Sequence, residues 1–238
     1  GKQYAHYRRL WDLAGQRKYT GLVPLHLDFD TVDACNLHCT ICHESGRRRS
    51  RMKMPLDLAQ NAISEGAGRG LYSINIGGVG EPYLHKKALY ELSSFAVQEG
   101  LYDVFVHTNF LLVHAEDIPA TVKCGITCLC LSVDAITPET YRAIRGGDFA
   151  VLLENIRRLH EYKKEHSLRF PLVRISAVPC KTNQGELGRF FDFWAPYADV
   201  VDIQSYRSDP AHKSEERVAA KPVTSCSSPW QRMMYWPN

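Results

Sequence analysis

No part of this sequence stays apolar for long. The longest hydrophobic runs, such as residues 149–153, cover a handful of positions, whereas a membrane-spanning helix needs about 20. The N-terminus has no apolar stretch of the kind a secretory signal carries. An excess of one charge is missing too. Lys and Arg total 29 against 26 Asp and Glu, a net charge of +3, which gives no electrostatic reason to expect nucleic acid or an anionic membrane as partner. No unit repeats at a fixed period. What is present is the balance of a globular protein with a core, 45% hydrophobic and 23% charged residues. The 238 residues suit one ordinary domain with a small appendage. Disorder throughout, collagen and low-complexity fibre are excluded.

Cysteine is the plentiful exception, at eight residues. An even number could pair as disulfides, but that solution belongs to short secreted chains that lack a core. The expectation is therefore a reducing, cytoplasmic compartment, with thiols left to bind metal or to pack.

Strand-like and helix-like segments take turns along the chain. Residues 4–19 read as a basic, aromatic helix, ended by Gly21 and Pro24. Leu25, Leu27 and Phe29 alternate with His26, Asp28 and Asp30, a strand pattern. Further strands are expected at 73–76, 104–106, 127–133, 172–178 and 200–203. Helices are expected at 84–99, 118–123, 138–144, 149–159 and 186–194. Thr137 and Asp148 are the expected N-caps of the third and fourth of these helices, with Pro138 at a first helical position. Six strands alternating with helices imply parallel βα units with right-handed crossovers, in a barrel or an open twisted sheet. After Tyr206 the order weakens into a polar linker with Pro210 and Pro222.

The sequence Cys35-Asn-Leu-His-Cys39-Thr-Ile-Cys42 follows the first strand. At this cysteine frequency the spacing arises by chance in roughly one such chain in a hundred. Three thiolates on one loop can face one soft metal centre. Zinc would take a fourth ligand, which His38 or His43 could supply. An iron–sulfur cube held by three cysteines would keep one iron open for catalysis.

The triplet resembles the hallmark of the radical S-adenosylmethionine (SAM) superfamily, with Ile41 where an aromatic residue is usual. Gly78-Val79-Gly80-Glu81-Pro82 is similar to the family's glycine-rich SAM segment, with Val79 interrupting the glycines. Thr108-Asn109 resembles a frequent Thr-Asn-Gly, with Phe110 in place of glycine. Ser132-Val133-Asp134, the stretch 141–147, Asn155-Ile156 and Asn183 match further family features in order. The likeness covers about residues 25–206.

It implies an α/β fold, a partial (β/α)6 barrel of parallel strands at 25–206, behind an N-terminal helical segment at 1–24. It also implies Cys35, Cys39 and Cys42 as ligands of a 4Fe–4S cluster whose open iron is chelated by SAM. The backbone at Gly78, Gly80 and Glu81 would approach the methionine portion. Thr108 and Asn109 belong to the same SAM-binding set. Ser132 and Arg145 would meet the methionine carboxylate, Asn183 the ribose or carboxylate, and Gln204 is a further contact. An external electron donor such as flavodoxin or ferredoxin is implied.

Other residues have plainer accounts. Cys124, Cys128 and Cys130 are expected as small core residues, and Met52 and Met54 as cover for the barrel mouth. Arg47, Arg48, Arg49 and Arg51 are a solvated loop or a clamp for an anionic substrate group. Cys180, just past the fifth strand, is a candidate hydrogen donor to a substrate radical. Cys226, Pro229 and Trp230 resemble the opening of the SPASM extension, which would carry an auxiliary iron–sulfur cluster. Residues 207–238 are thus expected as a linker and an incomplete segment of that kind.

The substrate implied is a small molecule or peptide. The favoured reading is a carbohydrate-like or natural-product intermediate, oxidised, epimerised or deoxygenated. Maturation of a ribosomal peptide is the alternative enzyme, and a zinc-binding interaction module the alternative outside catalysis. Neither nucleic acid nor a membrane is expected as partner.

Overall fold

The computed structural model describes residues 1–42, 49–204 and 226–235. An N-terminal helix α1 (Lys2–Gly15) precedes β1 (His26–Phe29). The chain then continues through α2 (Leu56–Ala67), β2 (Ser73–Ile76), a 3-10 turn (Pro82–His85), α3 (Lys86–Gln98), β3 (Asp103–Thr108) and α4 (Asp117–Lys123). There follow β4 (Cys128–Ser132), α5 (Pro138–Arg145), α6 (Phe149–Glu165), β5 (Leu172–Ala177), α7 (Leu187–Trp194) and β6 (Val200–Ile203). A one-turn helix α8 (Ser228–Gln231) and β7 (Arg232–Tyr235) close the described chain. All pairings are parallel, in the order β6-β5-β4-β3-β2-β1-β7.

The six expected strands are present, and α/β alternation in a parallel sheet is the architecture. Besides the one-turn α8, two elements have no counterpart in the sequence expectation. Helix α2 follows the cluster loop, and β7 pairs with β1 in the register His26↔Arg232 through Phe29↔Tyr235. Residues 226–235 therefore add a strand to the same sheet. The expected break after Tyr206 lies outside the described residues.

Side-chain alternation gives the sheet two unlike faces. Leu27, Phe29, Ile74, Ile76, Val104, Val106, Leu129, Leu131, Val173 and Ile175 join the main hydrophobic core with Ile63, Leu89, Leu152 and Trp194 from the helices. The other parity carries His26, Asp28, Ser73, Asn75, His107, Ser132, Arg174, Ser176 and Asp202, which form the inner wall. In β1 even His26 and Asp28 are buried, so the alternation marks a wall inside the molecule rather than a solvent face. α1 covers the N-terminal end of that wall: Tyr7 bonds Ser73 Oγ at 2.8 Å, and His26 Nδ1 bonds the same hydroxyl at 2.6 Å.

Both expected caps form. Thr137 accepts from the Thr140 amide, and Asp148 from those of Ala150 and Val151. Met54 is a correction, since it is buried in the core rather than covering a mouth. Cys124 packs in that core, whereas Cys128 and Cys130 share the inner-wall parity with their sulfurs 3.7 Å apart. Among the described residues, no helix is long and apolar enough to cross a membrane.

Candidate functional site

At the C-terminal ends of β1 to β5 the loops enclose a cavity of about 480 Å³. Cys35, Cys39 and Cys42 lie on its wall with Gly78, Gly80, Glu81, Thr108, Asn109, Ser132 and Arg145. Ten of the thirteen residues singled out from the sequence thus meet in one place. The three thiols are free, with Cys39 buried and the other two partly so.

The cysteine loop is held on both sides. Asp30, at the end of β1, accepts from the amides of Val79 (3.0 Å) and Gly80 (3.1 Å), and the Glu81 amide donates to Ala34 O at 2.8 Å. A Cβ on Gly80 would lie 1.8 Å from Val32 O, so the missing side chain makes room for the protein's own backbone. Gly78, by contrast, would meet nothing nearer than 4.0 Å at its Cβ position. On the far side, the Thr40 amide donates to Ile144 O at 2.9 Å, tying the loop to the end of α5.

Glu81 is buried, and three donors hold its carboxylate: Thr108 Oγ1 (2.6 Å), the Tyr83 amide (3.1 Å) and the Asn109 amide (2.8 Å). Burial nevertheless pushes its pKa up to about 6. Thr108 is committed here, because its hydroxyl also accepts from the Phe110 amide. Asn109 accepts from the Leu111 amide through Oδ1 (3.0 Å). Its Nδ2 points to Asn36 Oδ1 (2.8 Å) and Cys35 Sγ (3.9 Å). Phe110 occupies the left-handed region at φ 60°, which accounts for the glycine usual at that place.

Arg145 ends α5, where Gly146 takes the left-handed cap at φ 73°. Its guanidinium is ion-paired with Asp134 and reaches Cys39 Sγ at 3.7 Å. Asp134 also accepts from the Val178 amide at 2.7 Å. Burial alone would lower the Arg145 pKa, but the Asp134 charge and the Cys39 sulfur raise it. The guanidinium therefore remains a cation. On the inner wall, Asn75 Nδ2 donates to Asp28 Oδ1 (3.1 Å) and Gly77 O (2.6 Å). Its oxygen is left to accept from His107 Nδ1, 2.6 Å away. Nδ1 thus carries the proton and Nε2 keeps its lone pair. Burial brings the His107 pKa down to about 4, so the ring is neutral near pH 7.

Three residues fall elsewhere. Asn183 is fully buried and spends its carboxamide on the chain: Nδ2 donates to Asp134 O and Val178 O, and Oδ1 accepts from the Cys180 amide. It joins the loops after β4 and β5 rather than facing a ligand. Cys180 is fully buried and off the cavity wall, whereas a hydrogen donor has to face its substrate. Gln204 is tied by its amide to Ala177 O at 2.8 Å and does not line the cavity.

Of the arginine run, Arg47 and Arg48, like His43, lie outside the described residues. Arg49 donates to Val79 O at 3.0 Å, and Arg51 lines the cavity rim. Cys226 is exposed, and among the described residues no group of three metal-binding side chains surrounds it. Asp30, Asn36 and Asp134 were not singled out as site residues. Asp30 closes the first alternating strand and Asp134 ends Ser132-Val133-Asp134, but only the fold shows which backbone groups these side chains hold.

The donor set can be tested against the group it is expected to hold. The three thiols lie on one cavity wall, and soft ligands of this kind suit iron or zinc. Tyr141 Oη and Arg145 Nε are buried without a partner in the protein. Both belong to the cluster of groups around Cys39, and an orphaned buried donor costs about 1–3 kcal/mol. Donors left over beside the thiols fit a sulfide- or carboxylate-bearing group.

Comparison with known proteins agrees. The family model described as the Radical SAM superfamily matches residues 30–175, more than half of the chain. A GTP 3′,8-cyclase of Alkaliphilus oremlandii is 25% identical over 173 residues, 70% of this chain and 49% of that protein. A probable GTP 3′,8-cyclase of Methanococcus vannielii is 32% identical over 172 residues, 71% of this chain and 54% of that protein. The chain spans about half the length of these curated relatives. Among solved structures, Streptococcus suis SuiB bound to S-adenosylmethionine superposes with a TM-score of 0.66 at 20% identity, over 84% of this chain and 44% of SuiB. SuiB bound to its precursor peptide SuiA gives 0.67 at 18%, over 84% and 43%. At such identities the likeness is one of fold.

Proposed function

Because the chain belongs to the radical SAM superfamily, whose cofactors are a 4Fe–4S cluster and SAM, we propose that Cys35, Cys39 and Cys42 are the cluster ligands. SAM then occupies the adjoining cavity. When bound, these cofactors supply a 5′-deoxyadenosyl radical by one-electron reductive cleavage of SAM, and that radical takes a hydrogen atom from the substrate. Gly78 leaves room for the methionine portion, Ser132 offers a hydroxyl on the wall, and Glu81 fixes the loop between them. The electron comes from a carrier of the flavodoxin or ferredoxin class.

We further propose a hydroxyl-rich small molecule as substrate, a carbohydrate-like or natural-product intermediate oxidised, epimerised or deoxygenated at a hydroxyl-bearing carbon. The observation that carries this is the inner wall. His107 lines the cavity and presents a neutral acceptor, and Asp28, Ser176, Arg174 and Asp202 lie on the same face of the sheet beyond the cavity wall, a polar surface suited to hydroxyl groups. The relatives' name raises a nucleotide as the other small molecule to test. Arg174 forks onto Asp202 (Nε to Oδ1, 3.0 Å), and Arg232 lies 3.0 Å from Asp28 Oδ2. Both of these arginines are thus already paired, and a phosphate would instead meet Arg49 and Arg51 on the cavity wall.

The test is anaerobic reconstitution followed by dithionite and SAM. Four irons per chain and release of 5′-deoxyadenosine are expected. A fully loaded protein that releases none overturns the enzyme reading. Deuterated sugars and ribose-deuterated GTP then separate the substrates. Label passing into 5′-deoxyadenosine from GTP alone would replace the carbohydrate reading.

A further inference from the structure

Cluster chemistry of this kind needs an electron at low potential, and a protein sets that potential through charge and through hydrogen bonds to the cluster's sulfurs. Two of the three cysteines have such a donor already in place. Arg145 Nη1 lies 3.7 Å from Cys39 Sγ, and Asn109 Nδ2 lies 3.9 Å from Cys35 Sγ. Neither donor is free to wander. The guanidinium is held by Asp134, which is itself fixed by the Val178 amide. The carboxamide is held by the Leu111 amide and Asn36. The loop is brought to Arg145 by the Thr40 amide on Ile144 O. Arg145 Nε, buried and without a partner, is a further donor on the same guanidinium.

We propose that Arg145 and Asn109 set the reduction potential of the cluster, by donating N–H···S hydrogen bonds to Cys39 and Cys35 that strengthen when an electron is added. Asp134 holds the guanidinium in place and offsets part of its charge. The couple is [4Fe–4S]2+ + e− → [4Fe–4S]+, and the added negative charge is stabilised by a nearby cation and destabilised by a nearby carboxylate. Arg145 and Asp134 therefore pull in opposite directions, although they belong to one ion pair. A purely structural role predicts shifts in one common direction, since breaking either half of a buried pair disturbs the same loop. A role for Arg145 confined to the methionine carboxylate would show only when SAM is present.

This inference rests on the ligand assignment above, and the two fail differently. The reconstituted protein is titrated with dithionite under mediators, without SAM, and the reduced cluster is followed by EPR. Arg145→Gln is expected to lower the midpoint potential, Asp134→Asn to raise it, and Asn109→Ala to lower it by less than Arg145→Gln. Arg145→Lys, which keeps the charge, should fall between Arg145→Gln and the wild type. Should Arg145→Gln not fold, Arg145→Lys and Asn109→Ala carry the same test. Loaded variants whose potentials match the wild type, or that all shift in one direction, overturn the tuning role. A wild type that loads no cluster overturns the ligand assignment instead.

Discussion

At the scale of single residues, several side chains are explained by the atoms they leave unavailable. Phe110 shows the balance most sharply. Its φ of 60° is a conformation that costs a non-glycine residue about 1–2 kcal/mol, yet the ring is fully buried and packs edge-on against Tyr83 at 5.9 Å. Losing a buried phenylalanine costs about 3–5 kcal/mol, so packing outweighs strain. Phe110→Gly is therefore expected to lose about 1–4 kcal/mol in urea unfolding, even though it restores the residue usual in the family. A stabilised variant would mean that strain dominates. The cysteine triplet was legible from spacing alone. The tasks of Asn183 and Asp134 were not, because they depend on two loops meeting that are far apart in sequence.

At the scale of elements, β7 makes a specific demand. It contributes Arg232 to Asp28, the Tyr235 ring stacked on Phe29 at 5.4 Å, and Tyr235 O to the Asp30 amide. Arg232 is about one-third exposed, so its pair lies between a screened surface pair and a buried one. Arg232→Ala should cost about 1–3 kcal/mol. Amide exchange should quicken at 232–235 while β3 and β4 keep their protection. Uniform quickening across the sheet would show that β7 has no separate stability. Strands β1 to β5 could be read from alternation because most of their apolar residues fall on the parity that faces the helices. β7 could not, since its four residues are half-exposed and its partner lies at the other end of the chain. Helix α2 carries a weak apolar pattern, because its buried face is only Ala59, Ile63 and Gly66.

At the scale of the whole molecule, the buried inner wall links stability to pH. His107 takes up a proton near 6.5 when unfolded but only near 4 when folded. The unfolded chain thus binds more protons between those values, and stability falls as pH drops through that window. Glu81 works the other way, losing stability as pH rises from about 4.5 through about 6. In thermal melts from pH 7 to pH 5, His107→Gln should lose less stability than the wild type. Parallel curves would place the titration elsewhere. The contact between Cys39 and Arg145 spans 106 positions, which also has a meaning in time. At about 5–20 residues per second, a ribosome needs roughly 5–20 seconds to pass from the thiol to the cation. For that interval the cysteine loop has been made and its guanidinium has not, so the thiol of a nascent chain waits without the cation that later rests beside Cys39.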